Sequence, residues 1–263
     1  MTARSRTGPL LVLTALAALV AGLLVPASPS ADAGVPPWHP SRLTHLQDSQ
    51  QVVVVTSRRW GSSHAMLRAY QQDDEGTWHL AKGPWAARVG WNGMVRGDRR
   101  EQGSGTTPAA TFRLGLGFGS RPDPGTGLDR YRRFDKNDYW VYDPKDPRTY
   151  NVLEPFRSRQ AHWRRSWAEH LRDFGGGQYR YAVVVNFNLP SGVHWSDRLR
   201  QRVADEPADT RRGGGIFVHV NGRGATAGCV SVSRDRMVAL LRWLDSDDEP
   251  RIVIGPRRAI TRM

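Results

Sequence analysis

The chain has 263 residues, 39% of them hydrophobic and 24% charged, an ordinary globular composition that fits one large domain or two small ones. Its formal charge is +13 and its isoelectric point is near 10.8. Its single cysteine excludes an internal disulfide and a zinc site built from several thiolates.

Residues 1–33 read as an export signal. Arg4 and Arg6 form a positive start, Leu10 to Val25 is an uncharged run rich in Leu, Ala and Val, and Ala31-Asp32-Ala33 supplies a small-x-small cleavage site. Sixteen apolar residues are short for a retained membrane anchor, and a Pro-rich stretch follows. Cleavage near Ala33 is therefore expected, leaving an extracytoplasmic protein, secreted or held in the cell wall. Losing two arginines and one aspartate with the signal leaves +12 on the mature chain. Such a charge would suggest nucleic acid for a cytosolic protein. Export removes that partner and directs the charge toward anionic wall polymers. Arg58, Arg99, Arg164, Arg200 and Arg257 are scattered, so a solvated basic surface is the reading, not one basic helix.

Residues 34–49 contain Pro and His with weak patterning and are expected to be a linker, with one domain over 50–263. Val52 to Thr56 is a β-branched run, and Ala65 to Tyr70 and Trp78 to Lys82 alternate between turns at Gly61 and Glu75-Gly76, which predicts strands. Gly103 to Gly127 is rich in turn formers. Its Gly115, Gly117 and Gly119 would suggest a phosphate loop only inside a βαβ unit, and none surrounds them. Trp163, Trp167 and Leu171 lie on one face of a helix predicted over 160–171. Tyr181 to Phe187 and Gly215 to Val220 predict apolar strands. A second helix is expected over Arg234 to Leu244, with Ser233 as N-cap, Asp235 in the first turn and a Met237, Leu240, Leu241, Leu244 stripe. Arg251 to Ile254 closes the chain as a strand. The prediction is a mainly β fold with a few helices.

The chemistry concentrates in Gly213 to Ser231, GGGIFVHVNGRGATAGCVS. An unperturbed thiol is only a few per cent ionised at neutral pH, so a nucleophilic cysteine needs a base. His219 ends a predicted strand ten residues before Cys229, and a tight strand-loop-strand return would bring imidazole and thiol within hydrogen-bond reach. In Thr226-Ala227-Gly228-Cys229, the glycine lets the N–H groups of Gly228 and Cys229 turn toward one point. Free donors there would stabilise the oxyanion of an acyl transfer. Thr226 would hold the loop through its hydroxyl. On these residues alone, a packed turn with a core histidine is an equal alternative.

The segment resembles the catalytic signature of the L,D-transpeptidase (YkuD-type) family: a His on a strand, a spacer, then Ser or Thr, any residue, Gly, Cys and an apolar residue. Here it reads His219, Thr226, Gly228, Cys229, Val230. Gly105-Thr106-Thr107-Pro108 through Phe112 resembles the family's Thr-Pro-x-Gly-x-Phe segment, with Ala110 in place of the usual glycine, and Gly214 to His219 resembles the approach to its histidine. The resemblance covers roughly residues 50–255.

It implies a β-sandwich-like catalytic domain with a cleft, no metal and no organic cofactor. Cys229 would be the nucleophile and His219 the base and then the acid, with Thr226, Ala227 and Gly228 supporting the oxyanion site. The partners implied are peptidoglycan stem peptides as donor and acceptor, joined in a 3→3 cross-link. Two features depart from the family pattern. The spacer before Thr226 is short, and Ser231 stands two after the cysteine, where Arg or Asn is frequent. Ser231 is thus the candidate contact to the substrate carboxylate, and His194, in Gly192-Val193-His194-Trp195, is a second substrate-side candidate. Competing readings are a hydrolase (carboxypeptidase or endopeptidase) on the same residues, and a non-catalytic wall-binding protein using basic charge and Trp38 or Trp60.

Overall fold

The computed structural model describes residues 34–156 and 161–263. The expected signal segment, 1–33, lies outside the described residues. Nine strands form the principal sheet: β1 (Gln51–Ser57), β2 (His64–Gln72), β3 (Trp78–Arg88), β4 (Thr111–Gly119), β5 (Tyr131–Arg133), β6 (Ala182–Val185), β7 (Phe217–Val220), β8 (Val230–Val232) and β9 (Arg251–Pro256). Their order is β6-β7-β8-β3-β2-β1-β9-β4-β5, and β6 also pairs with β4. Eight strands therefore close into a ring, with β5 attached outside β4. The mainly β expectation holds, and the two layers of the expected sandwich are joined by continuous hydrogen bonding. Closure protects strand edges that would otherwise expose unpaired N–H and C=O groups.

Side-chain alternation divides the core in two. Val183, Val185, Val218, Val220, Val230 and Val232 point into the main core with Val53, Leu67 and Ile252. Ala182, Val184, Phe217 and Cys229 point the other way, into an aromatic cluster with Phe118, Phe134, Trp140, Leu171 and Tyr179. Phe217 is gripped edge-on by Phe118 at 4.9 Å and Trp140 at 4.8 Å. These edge-to-face contacts add stabilisation beyond the area that they bury.

Every residue of β1 is buried, as its unbroken apolar run requires. Residues expected to be a linker contribute to that burial. Trp38, Leu43 and Leu46 pack against the main core, His39 meets Tyr70 edge-on at 5.4 Å, and Arg68 and Arg257 both face the Trp38 ring. Residues from Pro36 onward belong to the same compact unit as the sheet.

A small sheet caps the aromatic cluster, with Asp138–Val141 between Leu153–Pro155 and Ala168–His170. It corrects the helix expected over 160–171. Gln160 lies outside the described residues, Arg165–Trp167 is a single 3₁₀ turn, and Ala168–His170 pairs as a strand with Tyr139–Val141. Helix begins only at α1 (Leu171–Phe174). The second helix forms as expected, as α2 (Arg234–Trp243), with Met237, Leu240 and Leu241 fully buried. Ser233 caps it through its carbonyl, which accepts the Met237 N–H at 2.9 Å, and not through its hydroxyl. Gly115, Gly117 and Gly119 lie within β4, packed against Asn186, Tyr131 and the Arg180 carbonyl, and form no phosphate loop.

Candidate active site

The strands β7 and β8 are neighbours but parallel, with Val218 opposite Val230 and His219 opposite Ser231. The chain leaving Val220 must therefore run back along the sheet before β8 begins. Residues 221–229 do this in place of a tight return, and the loop is pinned midway where Thr226 N–H reaches the Val89 carbonyl at 3.0 Å and Trp91 N–H reaches Thr226 at 2.9 Å. Cys229 comes to rest beside Phe217, whose N–H points at its sulfur at 3.4 Å. The shared alternation leaves Cys229 and His219 on the same face, and both line one cleft of about 430 Å³.

Thr226 organises the turn into Cys229. Its hydroxyl donates to the Cys229 carbonyl at 2.6 Å and accepts the Gly228 N–H at 3.2 Å. Gly228 has φ +151, and a Cβ there would lie 3.0 Å from the Thr106 carbonyl and 3.1 Å from the Arg100 guanidinium, so the position suits only glycine. Of the two N–H groups expected to be free, Gly228's is thus taken by Thr226. That of Cys229 has no hydrogen-bond acceptor among the described residues. Thr226, Ala227 and Gly228 all line the cleft.

The thiol and imidazole are not hydrogen-bonded to each other, contrary to expectation. The Cys229 thiol donates to the Gly215 carbonyl at 3.2 Å. His219 Nδ1 lies 2.8 Å from the Val220 carbonyl, so Nδ1 carries the proton and Nε2 is left as the basic nitrogen. Tyr179 meets the imidazole edge-on, with ring centroids 5.6 Å apart. Both groups rest neutral. Desolvation pushes the Cys229 thiol up to about 12, with the Phe217 N–H and Arg100 opposing and Glu169 adding to the rise. Desolvation likewise lowers His219 to about 4, opposed by its bond to Val220.

Several residues that the sequence reading missed form the walls, as Tyr142, Glu169 and Tyr179 do, or brace them from behind, as Asn151 does. Asn151 accepts N–H bonds from Trp140 and Gly215, both at 2.8 Å, and donates to the carbonyls of Phe187 and Asn188. It thereby fixes Gly215, the residue that holds the thiol. Gly215 has φ +62, and a side chain there would strike the Tyr142 hydroxyl. Tyr142 and Tyr179 donate to the two oxygens of Glu169 at 3.0 and 2.9 Å. Desolvation holds Glu169 above the ordinary carboxylate range and both phenols well above theirs. These residues come from distant parts of the chain and carried no local signal.

Two other candidates fall outside the cleft wall. Ser231 is fully buried in register with both His219 and Arg88, and its Oγ has no hydrogen-bond partner. His194 is exposed on the hairpin His194–Ser196/Gln201–Val203, with Nδ1 2.9 Å from the Gly192 carbonyl. Among the described residues no group of three His, Cys, Asp or Glu gathers as a metal site.

Residues 51–254 match the family model for the L,D-transpeptidase catalytic domain, YkuD. No curated protein and no solved structure matches the chain. The matched span contains the whole closed ring but the last two residues of β9, together with His219, Thr226, Gly228 and Cys229, and the chain belongs to the YkuD family of L,D-transpeptidase catalytic domains.

Proposed function

We propose that this protein is an extracytoplasmic cysteine acyltransferase that forms 3→3 cross-links between peptidoglycan stem peptides. The observation that carries the reading is the shared cleft wall, where a buried thiol, a neutral imidazole with its Nε2 basic and the unpaired Cys229 N–H meet.

The thiol starts protonated, so attack and deprotonation occur together. Cys229 turns from the Gly215 carbonyl and passes its proton to His219 Nε2 while sulfur bonds to the carbonyl carbon of the amide after meso-diaminopimelate. The developing oxyanion takes the Cys229 N–H. Imidazolium then returns its proton to the leaving amine, the C–N bond breaks, and a thioester remains. An acceptor stem's amine attacks the thioester, His219 removes its extra proton, and that proton returns to the departing sulfur. Thr226 holds the loop throughout. A neutral resting pair suits this order, because a buried imidazolium or thiolate would be costly before substrate replaces water. The basic surface fits retention near anionic wall polymers.

The test incubates residues 34–263 with disaccharide-tetrapeptide and reads the products by mass spectrometry. A cross-linked dimer that has lost one terminal residue, absent with Cys229→Ala or His219→Ala, is expected. Tripeptide monomer alone would mean that water is the acceptor and the enzyme a hydrolase. Unchanged substrate would defeat the enzymatic reading.

A further inference from the structure

Arg100 is 4% exposed, yet no carboxylate pairs with it among the described residues. Its Nε donates to the Thr106 carbonyl at 3.1 Å and its Nη1 to the Arg212 carbonyl at 2.6 Å. Those two bonds, with the Phe187 ring 5.6 Å away, fix the plane of the guanidinium. Nη2 has no protein acceptor among the described residues, and it lies 3.1 Å from where a Cβ on Gly228 would stand. The third nitrogen is thus held beside the residue that precedes the nucleophile. Arg100 is also the one Lys or Arg among the residues lining the cleft.

A buried guanidinium with neutral carbonyl partners costs free energy that a folded protein normally recovers with an acid. The titratable neighbours whose field reaches it are Cys229, Tyr150 and Tyr142, all raised above their ordinary values and so protonated and uncharged at neutral pH. The one carboxyl on the cleft wall, Glu169, is taken by the Tyr142 and Tyr179 hydroxyls, which leaves the counter-charge to a bound anion. Ser231, the sequence candidate for the substrate-carboxylate contact, is fully buried and does not line the cleft, which leaves that role to Arg100.

We propose that Arg100 is the carboxylate-binding residue of the cleft, using Nη2 to hold a carboxylate of the donor stem peptide beside Cys229. The inference rests on the stem-peptide reading above. Two carboxylates on such a donor have this chemistry: the one at the D-centre of diaminopimelate and the terminal one of the leaving residue. Gly228 is glycine partly for this purpose, since any side chain there would occupy the space between Nη2 and the bound anion.

Binding is measured by calorimetry in the Cys229→Ala protein, which binds donor without turning it over. Three donors are compared: free tetrapeptide, tetrapeptide amidated at the D-centre, and tetrapeptide amidated at its terminus. A loss of about tenfold or more with one amide, matching a charge-assisted hydrogen bond, is expected and names the carboxylate held. In Cys229→Ala/Arg100→Gln that discrimination disappears. Arg100→Lys, which keeps the charge, serves where the glutamine variant does not fold, and retains only part of the discrimination. A merely structural arginine would weaken all three donors alike. Equal affinity for all three, or full discrimination surviving without the guanidinium, would overturn the proposal. These outcomes are read without acyl transfer, so they stand apart from failure of the proposed activity, which appears as absence of product from wild type.

Discussion

Thr226→Val isolates what holds the nucleophile loop. The valine keeps the shape but removes the hydroxyl, and with it the 2.6 Å bond to the Cys229 carbonyl and the 3.2 Å bond from the Gly228 N–H. The carbonyl falls back on the Thr107 hydroxyl, a marginal 3.5 Å away. The buried Gly228 N–H is left without a partner. One lost hydrogen bond contributes about 1 kcal/mol, and a buried unsatisfied donor costs roughly 1–3 kcal/mol, so destabilisation of about 2–4 kcal/mol is expected. With a urea m-value of about 2 kcal/mol per molar, the midpoint falls by roughly 1–2 M. Urea unfolding followed by tryptophan fluorescence measures it, with Thr226→Ser as the control, since serine keeps both bonds. Turnover falls in parallel, because the Cys229 N–H loses its aim. A midpoint within about 0.3 M of wild type, or a serine variant as damaged as the valine one, would refute the reasoning.

His219 makes stability depend on acid in a defined window. It is held at about 4 against an ordinary 6.5, so between these values the unfolded chain binds a proton that the folded chain refuses. Its contribution is complete above pH 6.5 and lost as pH falls through 4, on the order of 3 kcal/mol in all. Melting temperatures at pH 7 and 4.5 should diverge more for wild type than for His219→Gln, and parallel profiles would contradict this. Cys229, held at about 12, should react slowly with iodoacetamide at pH 7 and accelerate steeply above pH 9. Rapid labelling at neutral pH would show a thiolate already formed.

The sheet was readable where local pattern and tertiary role agree. The Val52–Thr56 run is β-branched and buried on both faces, and the α2 stripe repeats at helical spacing. The segment around Trp163, Trp167 and Leu171 misled because its spacing also fits a helix. Pairing of Ala168–His170 with Tyr139–Val141 overrides that preference and turns Trp167 outward, against Arg164 at 5.2 Å. The linker reading failed for a related reason: Trp38 finds its partners, Arg68 and Arg257, far along the chain and outside any local window.

The site divides in the same way. His219, Thr226, Gly228 and Cys229 lie close in sequence, and their spacing carries the chemistry. Tyr142, Glu169, Tyr179 and Arg100, and Asn151 behind Gly215, are brought to the site only by tertiary folding, so no window of the sequence holds them together. Ser231 was placed by motif position alone, whereas its side chain is fully buried, with Oγ unpartnered, and is absent from the cleft lining.

The most direct test of Cys229 as nucleophile is the intact mass of the protein after brief exposure to tetrapeptide donor, quenched in acid to preserve a thioester. One added tripeptide-acyl mass is expected, lost on treatment with hydroxylamine, mapped to the peptide containing Cys229 and absent from Cys229→Ala. An adduct that persists in Cys229→Ala, or product formed at normal rate by that variant, would show that Cys229 is not the nucleophile.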